Sequence, residues 1–334
     1  MTEAELDDLL SKPRTATVDA LAKCPGDIVV LGAGGKMGPT LTRMAARASN
    51  GDRRIIAVSR WSSRSAEHAL NAAGVETVRC DLLDRDAIAR LPDAPNVIFM
   101  AGQKFGTTGA PAMTWAMNTI VPANCAERYR ESRIVAFSTG NVYSLTPVSS
   151  RGSVEDDQLA PVGEYAASCL GRERVFEAYS ERYGTPVAIV RLNYAIALRY
   201  GVLVDIAMKV KSAQPVAVDM GYVNVIWQGD ANAIAIECLA KAHVPPFAVN
   251  VTGGEQLSVR TIAEWFAARF GVPVHLSGSE RSDALLSDTA KMRANFATPA
   301  VSTEQLLEWV AEWIEQGGLV LGKPTKFEAR DGRF

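Results

Sequence analysis

Two rhythms of hydrophobic and polar positions alternate along the first two-thirds of this chain. Short apolar runs at 27–31, 54–59, 76–80, 96–101, 133–138 and 186–192 predict buried strands. Between them, apolar residues at helical spacing predict helices near 36–49, 63–73, 84–91, 111–130 and 163–183. Strand–helix alternation of this kind implies parallel βαβ units with right-handed crossovers. The expected fold class is therefore α/β, a Rossmann-like doubly wound parallel sheet with helices on both faces. Beyond about residue 195 the rhythm loosens into shorter elements at 223–227, 230–242, 247–251, 259–270 and 303–316, which predict a smaller C-terminal α/β substrate lobe. The chain then divides into an N-terminal arm (1–26) that packs on the body or a partner, a Rossmann domain (27–195) and a mixed lobe (196–334), with the chain free to cross between the last two.

Composition allows this plan and narrows the chemistry. A chain of 334 residues with 48% hydrophobic positions can bury one large core, or a domain and a lobe. Its 35 basic and 37 acidic residues leave a net charge of −2, which does not suit a general nucleic-acid binder. Five scattered cysteines, odd in number and without a C-x-x-C pair, argue for a reducing compartment and against structural zinc; no metal is expected. An acidic N-terminus and no run of membrane-spanning length predict a cytoplasmic protein with a small-molecule substrate, no membrane and no nucleic acid.

Candidate chemistry begins after the first strand, where Gly32-Ala33-Gly34-Gly35-Lys36-Met37-Gly38 joins strand to helix. Strand before and helix after make this a candidate dinucleotide-binding turn. Gly32 permits the tight turn, Gly35 lets the backbone approach a pyrophosphate, and Gly38 allows close helix packing. At the end of the second strand, where a carboxylate would hold the ribose diol of NAD, stand Ser59 and Arg60, with Arg64 nearby. A guanidinium suits a 2′-phosphate, so NADP is expected ahead of NAD.

The glycine spacing, then Arg79-Cys80-Asp81-Leu82-Leu83-Asp84, Met100-Ala101-Gly102 and Phe137-Ser138-Thr139-Gly140-Asn141-Val142-Tyr143, followed by Val249-Asn250-Val251-Thr252-Gly253-Gly254 and Ser287-Asp288-Thr289-Ala290-Lys291, stand in one order. Over roughly residues 27–320 the chain resembles the extended short-chain dehydrogenase/reductases of the NAD-dependent epimerase/dehydratase type. The resemblance implies that Thr139 bonds the reacting oxygen and that Tyr165, 26 residues later, is the acid/base. It also implies that Asp81 and Leu82 contact the adenine, and that Ala101 and Gly102 line the cofactor ribose. Asn118 matches an asparagine beside the active site, and a helix-surface amide is an equal reading. The same resemblance implies that helices 111–130 and 163–183 form a homodimer bundle, although their apolar spacing would also serve the core.

One departure stands out. Where the family has Tyr-x-x-x-Lys, this chain reads Tyr165-Ala166-Ala167-Ser168-Cys169. An unperturbed phenol, with a pKa near ~10, is only about a thousandth ionised at pH 7, a shortfall of roughly 4 kcal/mol for base catalysis. A neutral phenol is still a proton donor, so the loss harms alcohol oxidation more than carbonyl reduction. Arg172 shares the helix face but sits roughly 10 Å further along the axis, a poor direct replacement. Lys104, after the fourth strand, is expected to be a loop surface charge, with a swing toward the tyrosine as the other reading. Cys169 is expected to be a small core residue rather than a nucleophile.

Gly140-Asn141 replaces the Asp-Glu of the family's dehydratases, and Tyr200-Gly201-Val202-Leu203 replaces its Tyr-Gly-Pro-Arg. Gln103, Lys104, Asn141, Asn193 and Arg199 are the candidate substrate contacts, with Arg191 and Lys209 as further candidate anion binders. The resulting expectation is an NAD(P)-dependent oxidoreductase or epimerase acting on a sugar-like or other small carbonyl or hydroxyl compound. The alternative is a catalytically reduced NAD(P)-binding sensor or partner-binding protein.

Overall fold

A computed structural model of the chain describes residues 1–104 and 109–333. Seven strands build the central sheet: β1 (Ile28–Leu31), β2 (Ile55–Ser59), β3 (Glu76–Arg79), β4 (Asn96–Phe99), β5 (Arg133–Thr139), β6 (Val187–Leu192) and β7 (Phe247–Val251). Their order is β7-β6-β5-β4-β1-β2-β3, and every pairing is parallel. The strands β1, β4 and β6 are apolar along almost their whole length because helices cover both faces, as parallel sheets require. Sheet order reverses between β1 and β4, and the crevice beyond their carboxyl ends is where such a fold places a ligand.

Each expected strand and helix of the Rossmann region is present within two residues of its predicted ends. The span 111–130 carries an unpredicted feature: between helices Pro111–Trp115 and Val121–Arg128, residues Ala116–Ile120 form one π-helical turn. The segment 247–251, read from sequence as part of the smaller lobe, is β7 and pairs with β6 from Phe247↔Ala188 to Val251↔Leu192. The segment 223–227 splits into two short strands, Tyr222–Val223 and Ile226–Trp227. Short runs after residue 195 carry too little period-2 signal to reveal which sheet they join.

The remaining lobe has its own core, in which helices Val202–Lys211, Val259–Phe270 and Thr303–Glu315 gather Leu203, Ile206, Phe266, Val310 and Trp313. The N-terminal arm packs on the body. Its first helix, Glu3–Leu10, buries Leu6 and Leu10 in that same core. Beside the second helix, Thr15–Ala22, Arg14 forks onto Glu237 at 2.7 and 3.0 Å. Among the described residues no helix is long and apolar enough to cross a membrane. All five cysteines are buried and free.

The long helix α8 (Gly163–Tyr183) is fixed to the sheet by a buried polar network. Arg191 on β6 donates to both oxygens of Glu173 on α8, the shortest contact being 2.8 Å, and also to the Tyr143 hydroxyl at 2.7 Å. Ser138 on β5 donates to the same Glu173 carboxylate, and Tyr143 donates to Asn250 on β7 at 2.8 Å. Glu173→Gln leaves the Arg191 charge buried and unpaired, and urea unfolding should show a loss of about 3–5 kcal/mol. A loss below about 1 kcal/mol, the value of a solvent-screened pair, would show that water reaches the site.

Candidate active site

The glycine turn has the geometry its residues predict. Gly32 has φ 89°, and a Cβ there would lie 2.7 Å from the Ala101 nitrogen, so only glycine lets β1 turn against the end of β4. A Cβ on Gly38 would lie 2.3 Å from the Ala33 carbonyl oxygen, which explains how helix Gly38–Ser49 starts so close to the strand. Gly34, Gly35 and Lys36 face solvent, no side chain caps the helix start, and Met37 turns its side chain into the core. Uncapped N–H groups beneath an open glycine backbone suit a pyrophosphate, so these residues fit a dinucleotide.

Around the crevice, Ser59 lies against Gly34 and Arg60 is exposed, with no carboxylate among the described residues in ion-pair contact. Asp81 is exposed and accepts from the Leu83 N–H at 3.0 Å, Leu82 is buried, and Ala101 is buried next to the open Gly102.

Thr139 and Tyr165 come together at the end of β5. The Asn141 backbone N–H and side-chain amide donate to the Thr139 hydroxyl oxygen at 3.2 and 3.0 Å, which directs the Thr139 proton to the Tyr165 oxygen. Burial raises the Tyr165 phenol far above its ordinary range. Cys169 adds to this, while Arg172 and the Thr139 bond only partly oppose it. Cys169 is fully buried and its thiol is likewise raised by burial, so it is a packed core residue and not a thiolate.

Asn118 sits in the π-helical turn and is fully buried, which rules out the helix-surface amide. Its amide donates to the Gln103 carbonyl at 3.0 Å and the Ser168 hydroxyl at 2.9 Å. Its oxygen accepts from the Gln103 N–H at 3.0 Å and from Arg172 at 2.5 Å. With both donors and both lone pairs used, Asn118 positions its neighbours and has nothing left to offer a cofactor. Arg172 also departs from expectation. Its guanidinium reaches back along α8 to lie under Gly102, where a Cβ would meet it at 2.3 Å, and donates to the Phe137 carbonyl at 2.9 Å.

A cavity of about 250 Å³ opens over Thr139 and Tyr165, walled by Lys36, Lys104, Asn141, Asn193, Tyr200 and Thr325. Lys104 is thus no mere surface charge of its loop. Its ammonium lies 5.9 Å from the Tyr165 ring centre and donates to the Thr325 carbonyl at 3.2 Å. Lys36, read from sequence only as part of the glycine turn, projects into the same space 3.6 Å above the Tyr200 ring. The residue as a whole is exposed at the cleft, yet protein atoms surround its ammonium. Burial, then Lys104, lower its pKa to about 7, and Asp205 opposes them. Burial likewise takes Lys104 to about 8 against the pull of Asp205 and Glu328.

The other candidate anion binders are engaged elsewhere. Arg199 binds Asp7 and Glu3 of the N-terminal arm, Arg191 holds Glu173, and Lys209 pairs with Glu328. Gln103 is held by Asn118 through its backbone and does not wall the cavity. Sequence reasoning missed Tyr194, Tyr200 and Thr325. Tyr194 has a left-handed backbone, φ 46°, of the kind that clusters at functional sites. Thr325 lies on a C-terminal strap, residues 318–333 without helix or strand, which no local motif ties to the cavity.

In protein with ¹³C-methylated lysines, two resonances should titrate near pH 7 and pH 8, and Lys36→Arg and Lys104→Arg should each remove one. Titration of both near ~10.4 would place the ammonium groups in bulk water.

Comparison with solved structures finds the same fold at low identity. An epimerase of Methanothermobacter thermautotrophicus matches with TM-score 0.73 and 18% identity, covering 91% of this chain and 96% of that one. UDP-glucose 4-epimerase of Thermus thermophilus, solved with NAD, matches with TM-score 0.70 and 20% identity over 86% and 99%. The dTDP-glucose 4,6-dehydratase of Bacillus anthracis, also with NAD, gives 0.73 and 16% over 87% and 97%. Comparison with curated protein sequences finds no match. The sequence profile of the NAD dependent epimerase/dehydratase family matches residues 28–218, more than half of the chain. The chain belongs to the NAD-dependent epimerase/dehydratase family.

Proposed function

We propose that this protein is an NAD(P)-dependent oxidoreductase or epimerase acting at a carbonyl or hydroxyl carbon of a small molecule. One observation carries the reading: the bonded pair Thr139 and Tyr165 shares a single cavity with Lys36 of the glycine turn. Groups suited to a reacting oxygen therefore meet the end of the dinucleotide cradle. The nicotinamide, when bound, supplies hydride exchange with a substrate carbon. Thr139 turns its one hydroxyl proton from Tyr165 to the substrate oxygen, and Tyr165 delivers a proton to that oxygen as it gains negative charge. Arg172, fixed beneath Gly102, supplies a permanent positive charge on the helix face that has lost its lysine.

The cofactor is NAD or NADP. Two of the matched structures named above, those from Thermus thermophilus and Bacillus anthracis, hold NAD, and the preference for NADP rests on exposed Arg60 beside Ser59 alone. Cys169 in the lysine position favours the second reading, a sensor that binds the dinucleotide without turnover. We also propose a homodimer through the outer face of the helices at 111–128 and 163–183, where Met113, Trp115, Ile120 and Tyr183 are exposed.

Fluorescence titration with NADH and NADPH, followed by a screen of carbonyl substrates, separates these readings. Tyr165→Phe should bind the dinucleotide as the wild type does and lose about 10²–10⁴-fold in turnover. Binding without turnover by the wild type would support the sensor instead. A phenol raised by burial stays protonated through neutral pH, so the tyrosine imposes no fall on reduction from about pH 6 to 9, and a fall within that range should follow Lys36 and Lys104 as they lose their protons near pH 7 and 8. Oxidation, which needs the phenolate, should climb with pH throughout, and a plateau in oxidation near neutral pH would contradict a buried neutral tyrosine. The reduced dinucleotide should bind more tightly than the oxidised one. Sedimentation should give a dimer that Ile120→Asp converts to monomer; a monomeric wild type would remove the dimer proposal.

A further inference from the structure

We propose that Lys36 and Lys104 are an oxyanion-binding pair, and that the substrate is a compact carbonyl compound carrying a carboxylate or phosphate within a few atoms of its reacting carbon. This rests on reading Thr139 and Tyr165 as the groups at the reacting oxygen. Two ammonium groups project into one cavity, and no carboxylate walls it among the described residues. The nearby acids are committed. Asp205 accepts from the Thr325 N–H and hydroxyl, both at 2.6 Å, and Glu328 pairs with Lys209 at 3.4 Å.

Bringing two cations into a crowded space is uphill, since each loses hydration and repels the other, and the charge of Asp205 offsets this only in part for Lys36. The depressed pKa of Lys36, to which Lys104 contributes, is the trace of that cost. An oxyanion between them removes the repulsion and gains charge-assisted hydrogen bonds. Asn141 and Asn193 add neutral amides to the same wall. The volume, about 250 Å³, is below the ~300–1,000 Å³ of drug-sized sites, and the strap bearing Thr325 borders it. Both favour a small acid over a bulky conjugate. The anion also has to lie near the reacting centre, because Tyr165 walls the same cavity.

Calorimetry on the full chain, with and without saturating NADH, tests this using oxamate, its neutral counterpart oxamide, and inorganic phosphate. At least one of the two anions should bind, its identity choosing carboxylate or phosphate, and oxamide should not. Lys36→Met and Lys104→Met should each weaken that anion about tenfold or more, while the Arg variants, which keep the charge, should lose less. The inference is overturned if neither anion binds at millimolar concentration, if oxamide binds equally, or if the Met variants bind as the wild type does. It also falls if Lys36→Met loosens NADH while leaving the anion alone, for then that lysine serves the dinucleotide phosphates. If the wild type holds the anion through both lysines yet binds neither NADH nor NADPH, the dinucleotide reading fails and the anion pair stands.

Discussion

Under the cleft, with 5% and 1% of their side chains exposed, Arg191 and Glu173 join strand β6 to helix α8, and the placement of Thr139 against Tyr165 depends on that contact. Thr139 ends one element and Tyr165 begins another, so their meeting requires the helix to sit in one place on the sheet. Glu173 is eight residues along α8 from Tyr165, roughly 12 Å. The same carboxylate receives Ser138, the neighbour of Thr139. Arg191 reaches on to Tyr143 and the Glu155 carbonyl, and Asn250 ties in β7. A buried pair contributes little net stability over an apolar pair of the same shape, but either partner alone is costly. What the pair supplies is position, because only one seating of α8 satisfies all of these groups.

The same helix explains how the chain tolerates Cys169. Side chains on a helix lean toward its N-terminus, so a long residue covers the turn before its own. Arg172 is seven positions past Tyr165, yet its guanidinium lies under Gly102 and binds Asn118. Gly102 must then be glycine, and the π-helical turn carries Asn118 to the place where its oxygen meets that guanidinium, an irregularity of the kind often found at functional sites. The replacement differs in kind from a lysine. Arginine does not release its proton, and here it is held by the Phe137 carbonyl and the Asn118 oxygen. It lowers the cost of charge on Tyr165 without overcoming burial, so the phenol stays neutral.

The β1–turn–helix unit was legible in the sequence because each part is local: an apolar run, glycines with steric work to do, and a helix without a side-chain cap. Thr139 and Tyr165 were legible by resemblance. The site's cations were not. Lys36 was read through its backbone alone, since nothing in Gly35-Lys36-Met37 says that one side chain turns to the core and the next to the cleft. Lys104 looked like a loop charge because its neighbour Thr325 is 221 residues away. Arg199 looked free until Asp7 and Glu3 of the arm reached it. Misreadings of this kind share a cause: a charge is assigned by what faces it, and its partners come from distant segments. β7 was misplaced for a related reason, its partner β6 lying some 60 residues earlier.

The charges of the site also favour one direction of the proposed reaction. In an ordinary family member a single lysine both grips the cofactor and eases ionisation of the tyrosine. Here positive charge is divided between Arg172, which is locked into the protein, and Lys36 and Lys104, which face the cavity. An oxidised nicotinamide ring carries a positive charge that a reduced one lacks, so cations in the same cavity oppose the oxidised form by Coulomb's law. Tyr165, held protonated by burial, is ready to give a proton and poorly placed to take one. The two effects have separate origins, one in the walls of the cavity and one in the desolvation of the phenol. Both populate the starting state for adding hydride and proton to a carbonyl, a reduced ring beside a protonated phenol, and leave its opposite, an oxidised ring beside a phenolate, sparsely populated at neutral pH, so the chain that carries cysteine for lysine is loaded for reduction with the Thr139–Tyr165 pair still in place.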